Sequence, residues 1–174
     1  MKAVTDVKIR TRDGETLATD IYFPTNGEGP WPVVMERTPY DKTAPSRSEV
    51  TLQGHKVSRE EMAQAFVDKG FVCVFQDCRG RYQSSGTFTK YINEAEDGYD
   101  TCAWLVEQSW CNGKIGTMGL SYAAHTQLAL ACLNPPGLAS MVMDSGGFSN
   151  AYQCGIRQGG CLLYTSDAAD DSAC

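Results

Sequence analysis

Hydrophobic and polar residues alternate in VTDVKIRT (Val4–Thr11) and again in TLATDIYF (Thr16–Phe23), with the turn-prone pair Asp13-Gly14 between them. Strict alternation sends successive side chains to opposite faces of a pleated strand, so the two runs predict a β-hairpin at a sheet edge. After the turn-rich PTNGEGP the pattern changes. WPVVMER (Trp31–Arg37) and FVCVFQ (Phe71–Gln76) are apolar without alternation, as expected of strands covered on both faces. Between them, Thr43 to Ser58 has no period and reads as a surface loop. Ser58 with Glu61 has the form of a capping box, and Met62, Ala63, Phe66 and Val67 make a helical apolar stripe stopped by Gly70.

Further on, Tyr99, Cys102, Ala103 and Val106 recur at helical spacing and predict a helix from about Glu94 to Gln108. Asn112-Gly113 turns the chain into the strand KIGTM. A helix from Tyr122 to Leu133 ends at Asn134-Pro135-Pro136, and LASMVMD (Leu138–Asp144) reads as another strand. Strand and helix thus alternate from Trp31 to Asp144, which predicts an α/β fold: a mostly parallel sheet with helices on both faces. Chemistry in such sheets gathers at the carboxyl ends of the strands. Tyr40, Asp77, Ser121 and Asp144 all fall at or just after such ends.

With 174 residues, 42% hydrophobic and 21% charged, the chain has the balance of one globular domain. A net charge of −6, with no clustered Lys and Arg along the chain, argues against a nucleic-acid-binding surface. The N-terminal MKAVTDVKIRTRDG has neither a leader pattern nor a membrane span, so no membrane partner and a cytoplasmic location are expected. Eight cysteines are scattered without CxxC or histidine pairing, which favours free thiols and offers no metal or cofactor site. Cys73, Cys102 and Cys132 are expected to pack as small hydrophobes.

The segment CLLYTSDAAD, Cys161 to Asp170, reads as a translation of transposase sequencing-adapter DNA, against the plainer alternative of a natural acidic tail. Taking residues 161–174 as non-native removes Asp167, Asp170 and Asp171 and brings the net charge from −6 to −3. Two cysteines, Cys161 and Cys174, go with them.

In GTMGLSYAAH, Ser121 sits between a strand-like and a helix-like run, with Gly119 two residues before it and Ala123 and Ala124 after it. A serine on a tight strand-to-helix turn is presented at the top of the sheet, beside a helix N-terminus whose N–H groups suit an oxyanion. A serine nucleophile also needs a base, and the chain has only two histidines, His55 and His125.

RTPYDK (Arg37–Lys42), QDCRGRYQSSG (Gln76–Gly86) and GLSYAAHTQ (Gly119–Gln127) occur in this order. Together they resemble the cocaine esterase and X-Pro dipeptidyl-peptidase family of α/β-hydrolases, from about Val4 to Gly160. The resemblance implies acyl transfer from a small-molecule ester, an amide or a short peptide through an acyl-serine, with no cofactor. It makes Ser121 the nucleophile, the Tyr122 backbone N–H one oxyanion donor and the Tyr40 phenol the other. Without it, Tyr40 is an ordinary turn tyrosine.

Asp77, Arg79 and Gly80 match a structural turn of the family, with Arg79 buried and paired, and Asp144 is site-adjacent without a role. The family's acid and histidine follow later strands, so His125 reads as a helix-face residue and His55 as a solvated one. The expected organisation is residues 1–146 as the N-terminal part of a hydrolase domain truncated before its last strands, 147–160 as the start of a helical cap and 161–174 as the tail. A rival reading is a non-catalytic hydrolase-fold protein binding small molecules or partners, which the alanines after Ser121 favour.

Overall fold

The computed structural model describes residues 1–45, 50–145, 157–158 and 161–162. Its main sheet has six strands in the order β1-β2-β4-β3-β5-β6. The alternating runs form the edge hairpin, β1 (Lys2–Arg10) and β2 (Thr16–Phe23), turned through Gly14 at φ 95°. The apolar runs become β3 (Trp31–Thr38) and β4 (Val72–Asp77), followed by β5 (Cys111–Leu120) and β6 (Leu138–Asp144). These last four are parallel, whereas β2 joins β4 antiparallel. Every residue of β4 is buried, which explains why its sequence shows no alternation.

Helix α1 (Arg59–Val67) opens on the expected capping box: Ser58 accepts from the Glu61 N–H, and the Glu61 carboxylate accepts from the Ser58 N–H at 2.7 Å. These bonds, with His55 nearby, hold the Glu61 carboxyl down at about 2. Ala63 and Val67 pack with Tyr22, Cys73 and Phe75 on one face of the sheet, and Met62 and Phe66 lie against that cluster. The opposite face carries α2 (Glu94–Val106) and α3 (Tyr122–Ala131), over a core that includes Val33, Met35, Val74, Leu105 and Ile115.

Helix α2 buries a different stripe from the one its apolar spacing predicts. Of Tyr99, Cys102, Ala103 and Val106, only Cys102 is fully buried, and the inward positions are Glu94, Asp97, Gly98, Thr101, Cys102 and Leu105. Ion pairs explain this. Buried Arg37 lies 3.1 Å from Glu94 and 3.9 Å from Asp97, and Arg79 also pairs with Asp97. Charged groups enter a core when they meet partners there, and hydrophobic periodicity has no term for that.

Four cysteines, Cys73, Cys78, Cys102 and Cys111, are free and buried, and burial pushes the Cys73 and Cys102 thiols up to about 12. Cys132 departs from expectation. It is free and exposed at the end of α3, its Sγ donating to the Leu128 carbonyl at 3.2 Å. The expected cap region and tail lie outside the described residues, apart from β7 (Arg157–Gln158) and β8 (Cys161–Leu162), which pair antiparallel.

Candidate active site

Strand order reverses at β3, which lies between β4 and β5, and in open parallel sheets ligands bind outside the carboxyl ends of the strands at such a switch point. Ser121 follows β5 directly and Tyr40 stands two residues beyond β3. The sheet brings both to the same end of adjacent strands.

Ser121 has φ 57° and ψ −115°, a conformation an L-residue adopts only when its surroundings impose it. Three contacts impose it. Its N–H donates to the Asp144 carbonyl at 3.0 Å, while its own carbonyl accepts from the Ala124 and His125 N–H groups at 3.1 and 3.2 Å. Before it, Gly119 adopts φ +144°, and a Cβ there would stand 2.5 Å from the Ala123 Cβ. The absent side chain lets α3 begin almost against the strand, leaving Ser121 exposed at the rim. As the first residue of α3, Tyr122 presents an N–H that has no acceptor within the helix. That N–H points where the helix dipole is positive.

The Tyr122 phenol has a separate task. It donates to Glu94 at 2.9 Å, accepts from the Tyr91 N–H at 2.9 Å and stacks on the Tyr91 ring. Burial pushes this phenol's pKa far up, and neighbouring Glu94 adds to the shift. Tyr40 is half-buried, its N–H donating to Thr38 Oγ1 at 3.1 Å. Asp144 is exposed and accepts the Ser145 hydroxyl at 2.9 Å, so its contribution at the elbow runs through its backbone carbonyl.

Arg79 is buried and pairs with Asp97 and Asp13, and the Asp13 carboxyl is held well below the usual carboxylate range by that guanidinium. Gly80 is required because at φ +64° a Cβ would lie 2.1 Å from the Phe88 nitrogen. Asp77 is fully buried, but its partners are backbone N–H groups: Lys42 at 2.8 Å and Gln83 at 3.4 Å. Burial raises its pKa, while those donors pull it down.

Among the described residues, neither histidine ring hydrogen-bonds Ser121. His55 is exposed and lies 3.2 Å from Glu61. His125 rides on α3 itself, its ring 4.4 Å from that of Tyr91, and its buried Nε2 has no hydrogen-bond partner among the described residues. Burial lowers its pKa. Behind the elbow, on the α1 side of the sheet, a cavity of about 280 Å³ is lined by Met62, Phe66, Met118 and Val142, with Glu36 and Asp144 at its polar edge. Among the described residues no group of three or more His, Cys, Asp or Glu side chains could hold a metal, and no helix is long and apolar enough to cross a membrane.

The family model for the X-Pro dipeptidyl-peptidase (S15 family) matches residues 13–171. The chain belongs to the S15 family. A relative, the cocaine esterase of Rhodococcus sp. (strain MB1 Bresler), is 35% identical over 136 residues, covering 78% of this chain and 22% of that protein. Among solved structures, an α-amino acid ester hydrolase matches with a TM-score of 0.72 at 30% identity, covering 92% of this chain and 28% of that one. A CocE/NonD family hydrolase from Staphylococcus aureus matches with a TM-score of 0.68 at 32% identity, covering 80% and 26%. The fold is therefore that of the α/β-hydrolases, and the chain spans roughly a fifth of the length of the curated relatives it matches.

Sequence reading missed the residues that hold the Tyr40 loop. Lys42 is buried, and its Nζ lies 2.9 Å from Asp20. Lys42 sits inside the RTPYDK motif, but Asp20 occupies an alternating strand where an acidic residue reads as solvent-facing.

Proposed function

We propose that this chain is the nucleophile-bearing part of a serine hydrolase that cleaves ester or amide acyl bonds. The carrying observation is the forced geometry of Ser121, exposed at the switch point of the sheet beside the free end of a helix. In the reaction, Ser121 Oγ attacks the substrate carbonyl carbon as its proton passes to a base, and the carbonyl oxygen becomes an oxyanion. The Tyr122 N–H and the Tyr40 phenol donate to that oxygen. Collapse expels the leaving group, which takes the proton back from the base to depart as alcohol or amine, and leaves an acyl-serine that water then hydrolyses to the acid and free Ser121. A neutral phenol suits this role because it brings no charge to desolvate, and losing one such donor costs about 3–4 kcal/mol of barrier stabilisation.

With His55 paired to Glu61 and His125 turned against Tyr91, the base comes from residues beyond those described. The 174-residue chain alone is accordingly nearly inert. The rival reading, a binding protein on a hydrolase fold, rested on Ala123 and Ala124; both are buried, Ala123 against Gly119 and Ala124 with its N–H on the Ser121 carbonyl, so both are compatible with the elbow.

The deciding experiment treats the full-length gene product with a fluorophosphonate probe. Labelling that is lost in Ser121→Ala supports the hydrolase. Absence of labelling, where a control hydrolase labels, favours the binding protein.

A further inference from the structure

The turn that carries Tyr40 is fixed on both sides by groups that do not belong to it. Before Tyr40, the Thr38 carbonyl accepts the Cys78 N–H at 2.9 Å and the Pro39 carbonyl accepts from Arg81 Nε at 3.0 Å. After Tyr40, the backbone passes through φ 76° at Asp41, and Lys42 is then held twice. Its N–H donates to Asp77 Oδ1 at the end of β4. Its side chain reaches past β4 to β2, where Nζ lies 2.9 Å from Asp20 and 4.0 Å from Asp6. Asp20 is itself held, accepting the Asp6 N–H at 2.8 Å where β1 bulges at positive φ.

Burying an ammonium and a carboxylate together is a poor way to gain stability, since an apolar pair of the same volume serves as well or better. What an ion pair does supply is a single register. A Lys42 Nζ seated on Asp20 permits one placement of the loop, whereas a methionine could slide. An oxyanion donor works only where the charge develops, and a shift of about 1 Å can reduce turnover about 100-fold.

We propose that Lys42, anchored by Asp20 and Asp77, is a positioning residue that sets the Tyr40 phenol in the oxyanion site. This rests on the hydrolase reading above. Lys42 acts through Tyr40 and touches no substrate.

A double-mutant cycle in the full-length protein tests it, with p-nitrophenyl acetate as substrate. Lys42→Met is expected to lower kcat about 10- to 100-fold with little change in KM. In a Tyr40→Phe background, where the donor is already gone, the same substitution should change kcat by no more than about 2-fold. Equal losses in both backgrounds would mean that Lys42 only supports the fold, and an unaltered kcat in Tyr40→Phe alone would remove the group through which it acts. Either result overturns the proposal.

If Lys42→Met does not fold, Lys42→Arg keeps the charge while displacing it. Its smaller loss should likewise vanish in the Tyr40→Phe background, and a loss that persists there, or none in either background, refutes the assignment. Ser121→Ala separates the two levels. Full turnover in that variant overturns the hydrolase reading and the positioning role together, whereas abolished turnover with an additive cycle overturns the positioning role alone.

Discussion

A single methyl group at position 119 would close the space that lets α3 start against β5, because it would fall 2.5 Å from the Ala123 Cβ. That requirement was legible in the sequence as a glycine two residues before the serine, and so were Ser121 and the strand end bearing Tyr40. His125 was legible only as a helix-face residue. Its environment comes from Tyr91, a residue 34 positions away in the chain whose ring packs against it. Burial disfavours the charged form of His125 and lowers its pKa from 6.5, with Glu94 pulling the other way. As pH falls through that value the unfolded chain takes up a proton the folded site resists, so His125 makes the protein less stable toward acid. His125→Phe should therefore flatten the fall in melting temperature between about pH 7.5 and pH 5.5, read by thermal denaturation across that range.

At the scale of elements, strands and helix starts were readable because their signals are local: alternation, continuous apolar runs, a capping box. The inward face of α2 was not, because Glu94 and Asp97 turn inward to meet Arg37 and Arg79, which come from other elements. Those pairs tie α2 to β3 and to the turn after β4. Arg79→Ala would take from Asp97, 1% exposed, the guanidinium that hydrogen-bonds it, leaving Arg37 at 3.9 Å as its remaining cation. The expected loss is about 3–5 kcal/mol in chemical denaturation, with the fold failing before the chemistry does. An unchanged midpoint would show that Asp97 finds another partner.

The whole sheet is asymmetric in its finish. Among the described residues the hairpin strand β1 forms one border and β6 the other, and β6 exposes Met141 and, at 67%, Val142 beside the apolar cavity under α1. Unpaired strand borders with apolar side chains recruit other chains. The 174-residue chain expressed alone should elute as multimers, and Val142→Lys should shift it toward monomer, as measured by size-exclusion chromatography with light scattering. Monomers from the unaltered chain would show that the border is already covered.

The Ser121 N–H is tethered to the Asp144 carbonyl, on the last residue of that same outer strand. Fraying of β6 would release one of the bonds that hold the serine in its unusual conformation, long before the middle of the sheet noticed. On the proposed hydrolase reading the Ser121 hydroxyl is thus armed from the periphery, and whatever lies against that outermost strand also keeps the trigger cocked.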